Sequence, residues 1–390
     1  MEATRTDTKK NEIKYEKSEL ELMTTYQLRE ICRREKIMNG VIHPLDKEEL
    51  IQAIMRYMGK RQDFFICDKK KGGEERVEEF LKKTRIVIKP CKELYCQSQI
   101  LAYEGLSIEY YDGYTIPYKK ELSGTNAFLM GSDMTLCAIL NLKEHGERQE
   151  KLYLTKAAEL EIRETQRKDY RIFCMGRQTT ESLYHLYYGE HTILPEHIEV
   201  YSIPLIDFVV RKPVTLMLPM AIDFGSVNTT AGVYLDSAYF ENVGEQAAVK
   251  NCRENEINYT AFEDGNGESM LLPSVIGVLA VEEEDYKLLF GYDAIRLANA
   301  SYVDEGFCVF YDVKRWIGEY DKEEEIVDRQ GRRRLVKRAE ILRRFFLYII
   351  RKTENRFKCR ISQVHISSPV KQTHYFRRMF REILPEYMTD

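Results

Sequence analysis

The sequence predicts an α/β protein in which a small helical module and a β-rich α+β domain precede an α/β lobe. Three observations lead to this prediction. Apolar residues recur at helical spacing within residues 17–61, tyrosine-rich runs alternate over residues 85–214, and strand, glycine turn and strand open residues 219–390. Residues 1–16 are polar and predicted to be disordered, and residues 62–84, which contain the run DKKKGG, are predicted to be a linker.

Charge and composition exclude several classes of protein. The chain has 390 residues and a formal net charge of −4, which excludes a protein that binds nucleic acid through an overall basic surface. No apolar run is long enough to span a membrane, and the N-terminus is too charged for a signal peptide. Its nine cysteines are scattered and form no zinc motif with histidine. We therefore expect reduced thiols and a soluble, cytoplasmic protein.

Two helices with clear start signals are predicted in the N-terminal module. Thr24 and Gln27 form a capping box ahead of Leu28, and Asp46 with Glu49 opens a second helix that ends at Gly59. Residues 38–45 between them are predicted to be extended. The module is thus a helix–extension–helix unit.

This unit resembles SAP-type modules and the small helical domain of the Rho termination factor. The resembling segments are ELMTTYQLRE at residues 21–30 and DKEELIQAI at residues 46–54. Many such modules bind nucleic acid at the start of the second helix, where Asp46, Glu48 and Glu49 here repel phosphate. Two alternatives stay open: nucleic-acid binding through residues 17–61, or a helical docking module.

The β-rich domain contains alternating runs such as RIVIK at residues 85–89 and LSIEYY at residues 106–111. Turn signals such as Asp112-Gly113 separate these runs. Tyrosine in strands most often packs across neighbouring strands. We identify no family and no catalytic set in this domain.

The segment MAIDFGSVNTTAGVY at residues 220–234 carries the most specific chemistry. Its apolar strand delivers Asp223 to a turn in which Gly225 permits close approach of a ligand. Backbone N–H groups from Gly225 to Asn228, with the hydroxyl of Ser226, can bind phosphate oxygens. A carboxylate beside phosphate needs a divalent cation between them, so Asp223 is a candidate magnesium ligand.

This segment resembles the first phosphate-binding motif of the actin, sugar-kinase and heat-shock-protein-70 superfamily. Later segments resemble heat-shock-protein-70 chaperones in the same order along the chain. They are LPSVIGV at 272–278, FGYDA at 290–294, VFYDVKRWIG at 309–318 and VHISSPV at 364–370. The resemblance implies an actin-like, ribonuclease-H-like ATPase lobe over residues 219–390.

The resemblance also implies a role for each matching residue. Asp223 would hold magnesium and its water, and Lys314 would reach the γ-phosphate and the attacking water. Arg315 would lie beside the nucleotide, and Pro369 would belong to an interlobe switch. The residues implied to line the phosphates are Gly225, Ser226, Val227 and Asn228. Val227 stands where the chaperones commonly carry threonine.

The implied function is that of a chaperone-like ATPase that couples hydrolysis of Mg-ATP to binding of a polypeptide client or co-chaperone-like protein. The family's connecting acidic residue, second glycine-rich loop and adenosine loop would lie beyond residue 390. We therefore expect a truncated, inactive first lobe or a half-site that needs another chain. The alternatives are an actin-like scaffold protein, or a nucleic-acid-binding module with a vestigial ATPase lobe.

Residues 335–357 are predicted to form an amphipathic helix, because apolar residues recur there at helical spacing. Seven lysines and arginines lie in its approach and on its outer face. They are Arg332, Arg333, Arg334, Lys337, Arg338, Arg343 and Arg344. A solvated helix face is the favoured interpretation, with nucleic-acid contact as the alternative.

Overall fold

The structure is a computed structural model of a mixed α/β chain. It describes residues 15–34, 46–58, 63–146, 150–244, 247–264, 267–299, 308–328, 330–367 and 373–388. Four predictions fall wholly or mainly outside the described residues: the tail up to residue 14, the extended segment 38–45, the helix end at Gly59, and the role of Pro369.

The described residues of the N-terminal module form three helices. They are α1 (Lys17–Glu21), α2 (Thr25–Arg34) and α3 (Lys47–Met58). Both predicted capping boxes form: the Thr24 N–H donates to Gln27, and the Glu49 N–H donates to Asp46 Oδ1 at 2.9 Å. The buried side chains are Tyr15, Leu20, Leu28, Ile31, Cys32, Leu50, Ile51 and Ile54. Tyr15 therefore belongs to the module, although residues up to 16 were predicted to be disordered.

A seven-stranded sheet with two helices forms the second unit. Its helices are α4 (Gly73–Lys83) and α5 (Arg177–Tyr188). Its strands are β1 (Arg85–Ile88), β2 (Gln99–Tyr103), β3 (Thr115–Pro117), β4 (Thr125–Gly131), β5 (Leu136–Lys143), β6 (Lys151–Thr155), β7 (Tyr170–Met175), β8 (His197–Leu205) and β9 (Asp207–Arg211). The order in the sheet is β1-β8-β7-β4-β5-β6-β3, while β2 and β9 form a separate parallel pair. All neighbours in the sheet are antiparallel except β1 and β8. The predicted α+β character is confirmed.

The predicted linker is wrong over most of its length. Residues 73–83 form α4, which buries Val77 and Leu81 against the sheet. Upstream, the N–H of Ile66 donates to the buried Asn126 side chain at 3.0 Å. The glycines and lysines of residues 69–73 suggested a flexible connection, but apolar residues on both sides of that run attach the segment to the sheet.

The third unit begins at β10, which pairs with β22. Its helices are α6 (Ser237–Val243), α7 (Tyr292–Asn299), α8 (Arg338–Phe357) and α9 (Thr373–Ile383). Its strands are β10 (Val214–Leu216), β11 (Met220–Phe224), β12 (Asn228–Leu235), β13 (Glu256–Tyr259), β14 (Phe262–Glu263), β15 (Glu268–Ser269), β16 (Leu272–Pro273), β17 (Ile276–Val281), β18 (Tyr286–Phe290), β19 (Val309–Phe310), β20 (Glu323–Val327), β21 (Arg333–Lys337), β22 (Cys359–Ile361) and β23 (Val364–Ile366).

The central sheet of this lobe has the order β13-β12-β11-β23. β11 is antiparallel to β12 and parallel to β23, so a long crossover that includes α8 connects the two parallel strands. α8 covers the sheet with a row of fully buried side chains. That row is Ile341, Leu342, Phe345, Phe346, Ile349 and Ile350. The ends of β11 and β23 consequently lie side by side.

The predicted helix of residues 335–357 is confirmed from Arg338 onward. Its first three residues instead belong to β21, which is antiparallel to β20. Pairing of β21 with β20 sets this boundary. An ion pair between Arg333 and Glu325, at 2.9 Å, joins the two strands. In the part of the chain that the structure describes, no helix is long and apolar enough to cross a membrane.

The sheet domain and the lobe meet at the end of α8. Lys358 and Asp112 form a buried ion pair at 2.7 Å, and the Lys358 ammonium also donates to the Ser107 carbonyl at 2.9 Å. The Ser107 N–H donates to Asn355 Oδ1 at 3.0 Å, and Arg360 donates to the Glu104 carbonyl at 2.8 Å. We call these contacts the junction. They fix residues 104–112 against the lobe.

Candidate functional site

The turn between β11 and β12 has the tight geometry that the sequence predicts. Asp223 is opposite Thr230 in the antiparallel register, and the N–H of Gly225 donates to the Asn228 carbonyl at 3.1 Å. A Cβ atom on residue 225 would lie 2.2 Å from that carbonyl oxygen. Only glycine fits at this position without displacing the backbone of the turn.

The tip of the turn carries free donors. The N–H groups of Ser226 and Val227 and the hydroxyl of Ser226 make no hydrogen bond to any described residue. Both side chains are exposed. Two adjacent free N–H groups and a hydroxyl are suited to bind an anion such as phosphate.

Ser274 braces this turn. Its hydroxyl donates to the Gly225 carbonyl at 2.8 Å and lies 2.9 Å from the Thr229 hydroxyl, while its N–H donates to the Val227 carbonyl at 2.8 Å. Ser274 and Thr229 are fully buried. The carbonyl groups of Gly225 and Val227 are therefore satisfied by Ser274, while the N–H groups at the tip stay available to a ligand.

Asp223 lies at the exposed end of β11, beside the end of β23. The Ser367 hydroxyl donates to its carboxylate, and the Ser367 N–H donates to the Ile222 carbonyl at 2.9 Å. The parallel pairing of β11 with β23 brings these two residues together across 144 positions of sequence. The carboxylate is held in place and remains open to solvent.

Lys314 reaches the same turn from a 3₁₀ helix at Val313–Glu319. Its ammonium donates to the Phe224 carbonyl at 2.5 Å, 90 positions earlier in the chain. The ammonium also lies 5.9 Å from the Phe224 ring centroid and 5.8 Å from that of Phe376 on α9. One positive charge is thus fixed at the carbonyl of Phe224, the residue between Asp223 and Gly225 in the sequence.

Arg315 points elsewhere. Its side chain is 85% exposed and pairs with Asp312, three residues before it. Asp312 has a left-handed backbone conformation, with φ of 52°. The structure therefore gathers Asp223, the 225–228 turn and Lys314, but it does not bring the Arg315 guanidinium to them.

Sequence reasoning missed the residues that support the turn: Ser274, Ser367 and Thr229. A signal was present, because Ser274 lies within the apolar segment LPSVIGV and Ser367 directly follows a β-strand. A small polar residue in a buried segment needs a partner. The sequence could not show that the partners would be this turn and Asp223.

As far as the structure describes the chain, the candidate site offers a magnesium ion one carboxylate, that of Asp223, and no cluster of acidic side chains. No group of three or more histidine, cysteine, aspartate or glutamate side chains within the described residues is arranged to hold a metal. Magnesium commonly binds through one carboxylate, water and phosphate oxygens. Asp223, exposed and anchored by Ser367, fits the role of that single carboxylate.

Five of the seven basic residues predicted in and before α8 pair with acidic side chains. Their N–O contacts include Arg332–Asp328 (2.6 Å), Arg333–Glu325 (2.9 Å), Arg338–Glu319 (2.8 Å), Arg343–Glu386 (2.6 Å) and Arg344–Asp285 (2.8 Å), and Arg338 also pairs with Glu324. These pairings offset most of the positive charge of the basic sequence run. They favour the solvated, ion-paired interpretation of this helix face.

No protein-family profile matches the chain, and no curated protein matches it in sequence.

Proposed function

We propose that residues 214–388 form the first lobe of a divergent heat-shock-protein-70-like ATPase that binds the phosphates of Mg-ATP at the Asp223–Asn228 turn. The observation that carries the proposal is the position of Lys314. Its ammonium comes from 90 positions away to a turn that has a carboxylate on one side and free N–H donors on the other. A phosphate-bearing ligand with a divalent cation is complementary to all of these groups.

Each group then has a distinct role. The N–H groups of Ser226 and Val227, with the Ser226 hydroxyl, would bind phosphate oxygens. Asp223 would hold magnesium, which supplies positive charge to the phosphates. Lys314 would leave the Phe224 carbonyl for a terminal phosphate oxygen, where it stabilises the negative charge that develops as the phosphoryl group is transferred.

The arrangement of the lobe supports the proposal beyond the turn. The segment FGYDA leads from β18 into α7, and the lysine–arginine segment forms a 3₁₀ helix beside the turn. The order and spacing of these motifs underlie the resemblance to the chaperones. The groups named above form one wall of a site, so we expect tight binding and turnover only when a second surface covers the nucleotide.

With the nucleotide covered, hydrolysis would be coupled to binding of a polypeptide client or co-chaperone-like protein. An actin-like scaffold is the second candidate, because it would share Asp223 and Gly225; nucleotide-dependent polymerisation would distinguish it. A nucleic-acid-binding module is the third candidate, and a salt-dependent mobility shift that Arg29→Ala weakens would support it. All nine cysteines are unpaired, which supports a cytoplasmic location.

The proposal is tested by titrating the chain with a fluorescent ATP analogue in the presence of magnesium. We expect weak binding that Lys314→Ala reduces at least tenfold, because an ammonium that contacts phosphate is removed. Asp223→Asn should remove the magnesium dependence of binding. Lys322→Ala is the control, since this exposed lysine of the same lobe pairs only with Glu319 among the described residues, at 2.8 Å.

Two results would contradict the proposal. One is binding that is absent at millimolar nucleotide in every form of the chain. The other is binding that Lys314→Ala and Lys322→Ala weaken equally, since general loss of positive charge would then explain the effect.

A further inference from the structure

A groove separate from the Asp223 turn runs along the outer face of α8. Its volume is about 790 Å³, and its walls are α8, β17 and β18, with Asp68 of the sheet domain at one side. None of the residues that we place at the phosphate site lines it. A concave space of this size matches the binding sites of small organic molecules.

Flat and apolar side chains form the floor of the groove. Tyr348 packs against Phe290 with ring centroids 5.0 Å apart, and the Tyr286 ring lies 3.8 Å from the Arg344 guanidinium. Leu288 and Leu347 complete this floor. A floor of rings and aliphatic chains binds a flat apolar body by dispersion and exclusion of water.

The cations that line the groove are ion-paired at one end of it only. Arg344 pairs with Asp285, Arg343 with Glu386, and Lys287 with Glu282. Arg351 and Lys352 lie about two helical turns beyond Arg344 on α8, and their side chains make no ion pair or hydrogen bond with any described residue.

Tyr348 adds a third polar group at the end of the groove where Arg351 and Lys352 lie. Its hydroxyl has no hydrogen-bond partner among the described residues, and burial raises the pKa of this phenol, which keeps it a neutral donor. Lys352 lies over the ring of Tyr348 at 5.9 Å, so the cation and the hydroxyl-bearing ring are neighbours. Two cations and a donor next to an apolar floor complement an anionic group attached to a flat apolar body.

We propose that this groove binds a small organic anion with a flat apolar body, held by Arg351, Lys352 and Tyr348 at its charged end and by the aromatic floor at the other. The site is independent of the proposed nucleotide function. Charge complementarity selects the class of occupant, because Arg351 and Lys352 are the cations lining the groove whose side chains form no ion pair with a described residue.

The test uses two fluorescent probes with the same aromatic rings, of which only one carries an anionic sulfonate group. The full chain is titrated with 8-anilinonaphthalene-1-sulfonate and with its uncharged counterpart, N-phenyl-1-naphthylamine. We expect saturable binding of the sulfonate at one site. Arg351→Ala/Lys352→Ala should raise its Kd at least fivefold while changing the Kd of the uncharged probe less than twofold.

A matched control is provided by Arg377→Ala/Arg378→Ala on α9, which removes two adjacent arginines that also make no ion pair with a described residue. This variant should bind both probes like the unchanged chain. Leu347→Glu, which places a carboxylate in the floor, should weaken the sulfonate more than the uncharged probe. Sulfonate binding that is absent, that neither groove variant weakens, or that the α9 variant weakens equally would overturn the proposal.

Discussion

The junction and the Asp223 turn both join distant parts of the chain through charged groups. They differ in whether their polar groups have hydrogen-bond partners. At the junction, the Lys358 ammonium is buried and bonded to Asp112 and to the Ser107 carbonyl. At the turn, the N–H groups of Ser226 and Val227 are exposed and free. Buried polar groups that have hydrogen-bond partners stabilise the fold, whereas fixed polar groups that lack such partners can bind a ligand.

The largest effect expected from this comparison is at the junction. Lys358→Met leaves the Asp112 carboxylate buried without its cation and should lower the free energy of unfolding by about 3–5 kcal/mol. Urea denaturation followed by circular dichroism measures this change. Lys352→Met, on α8 six residues before Lys358, is the control and should change stability by less than about 0.5 kcal/mol. A loss below about 1 kcal/mol for Lys358→Met would show that the junction does not depend on this pair.

Adding a methyl group at Gly225 should destabilise the turn. Gly225→Ala places a Cβ atom against the Asn228 carbonyl oxygen, so we expect a loss of about 1–3 kcal/mol and a rearranged turn with weaker binding of nucleotide. Gly318→Ala is the matched control, because nothing lies within 4 Å of the added atom there. Unchanged stability and binding in Gly225→Ala would contradict the tight turn.

A smaller and pH-dependent effect is expected at Asp328. This carboxylate is buried and accepts several hydrogen bonds, like that of Asp112 at the junction. Burial alone raises the pKa of Asp328, but hydrogen bonds from the N–H groups of Val281, Arg332 and Gln330 and from the Arg332 guanidinium outweigh burial and lower it. Its folded-state pKa therefore lies below the unfolded value. The stabilisation is present above the unfolded pKa, near 4, and is lost as the pH falls through the folded pKa.

Asp328→Asn should cost about 1–2 kcal/mol at pH 7, because an amide cannot accept all of these hydrogen bonds. The difference in stability between this variant and the unchanged chain should shrink as the pH falls below 4. Denaturation at pH 7, 5 and 3 measures it. A difference that stays constant across this range would show that the carboxylate charge of Asp328 does not stabilise the fold.

Much of the local structure could be predicted from the sequence. The capping boxes at Thr24 and Asp46, the strand–turn–strand at Asp223 and the amphipathic part of α8 all depend on residues close in sequence. The errors arose where tertiary contacts outweigh local pattern. Residues 335–337 join β21 because β20 is beside them, and α4 packs on the sheet although a run of lysines and glycines precedes it.

Among the candidate site residues, the sequence by itself determined Asp223, the glycine that the turn requires and the donors of Ser226 and Val227, because these are properties of one short segment. Only the tertiary structure decided which distant residues meet that segment. Lys314 and Arg315 are adjacent in sequence, yet the ammonium of one contacts the turn and the guanidinium of the other pairs with Asp312 in solvent. Their separation follows from the 3₁₀ helix that carries them, since neighbouring residues on a helix point in different directions.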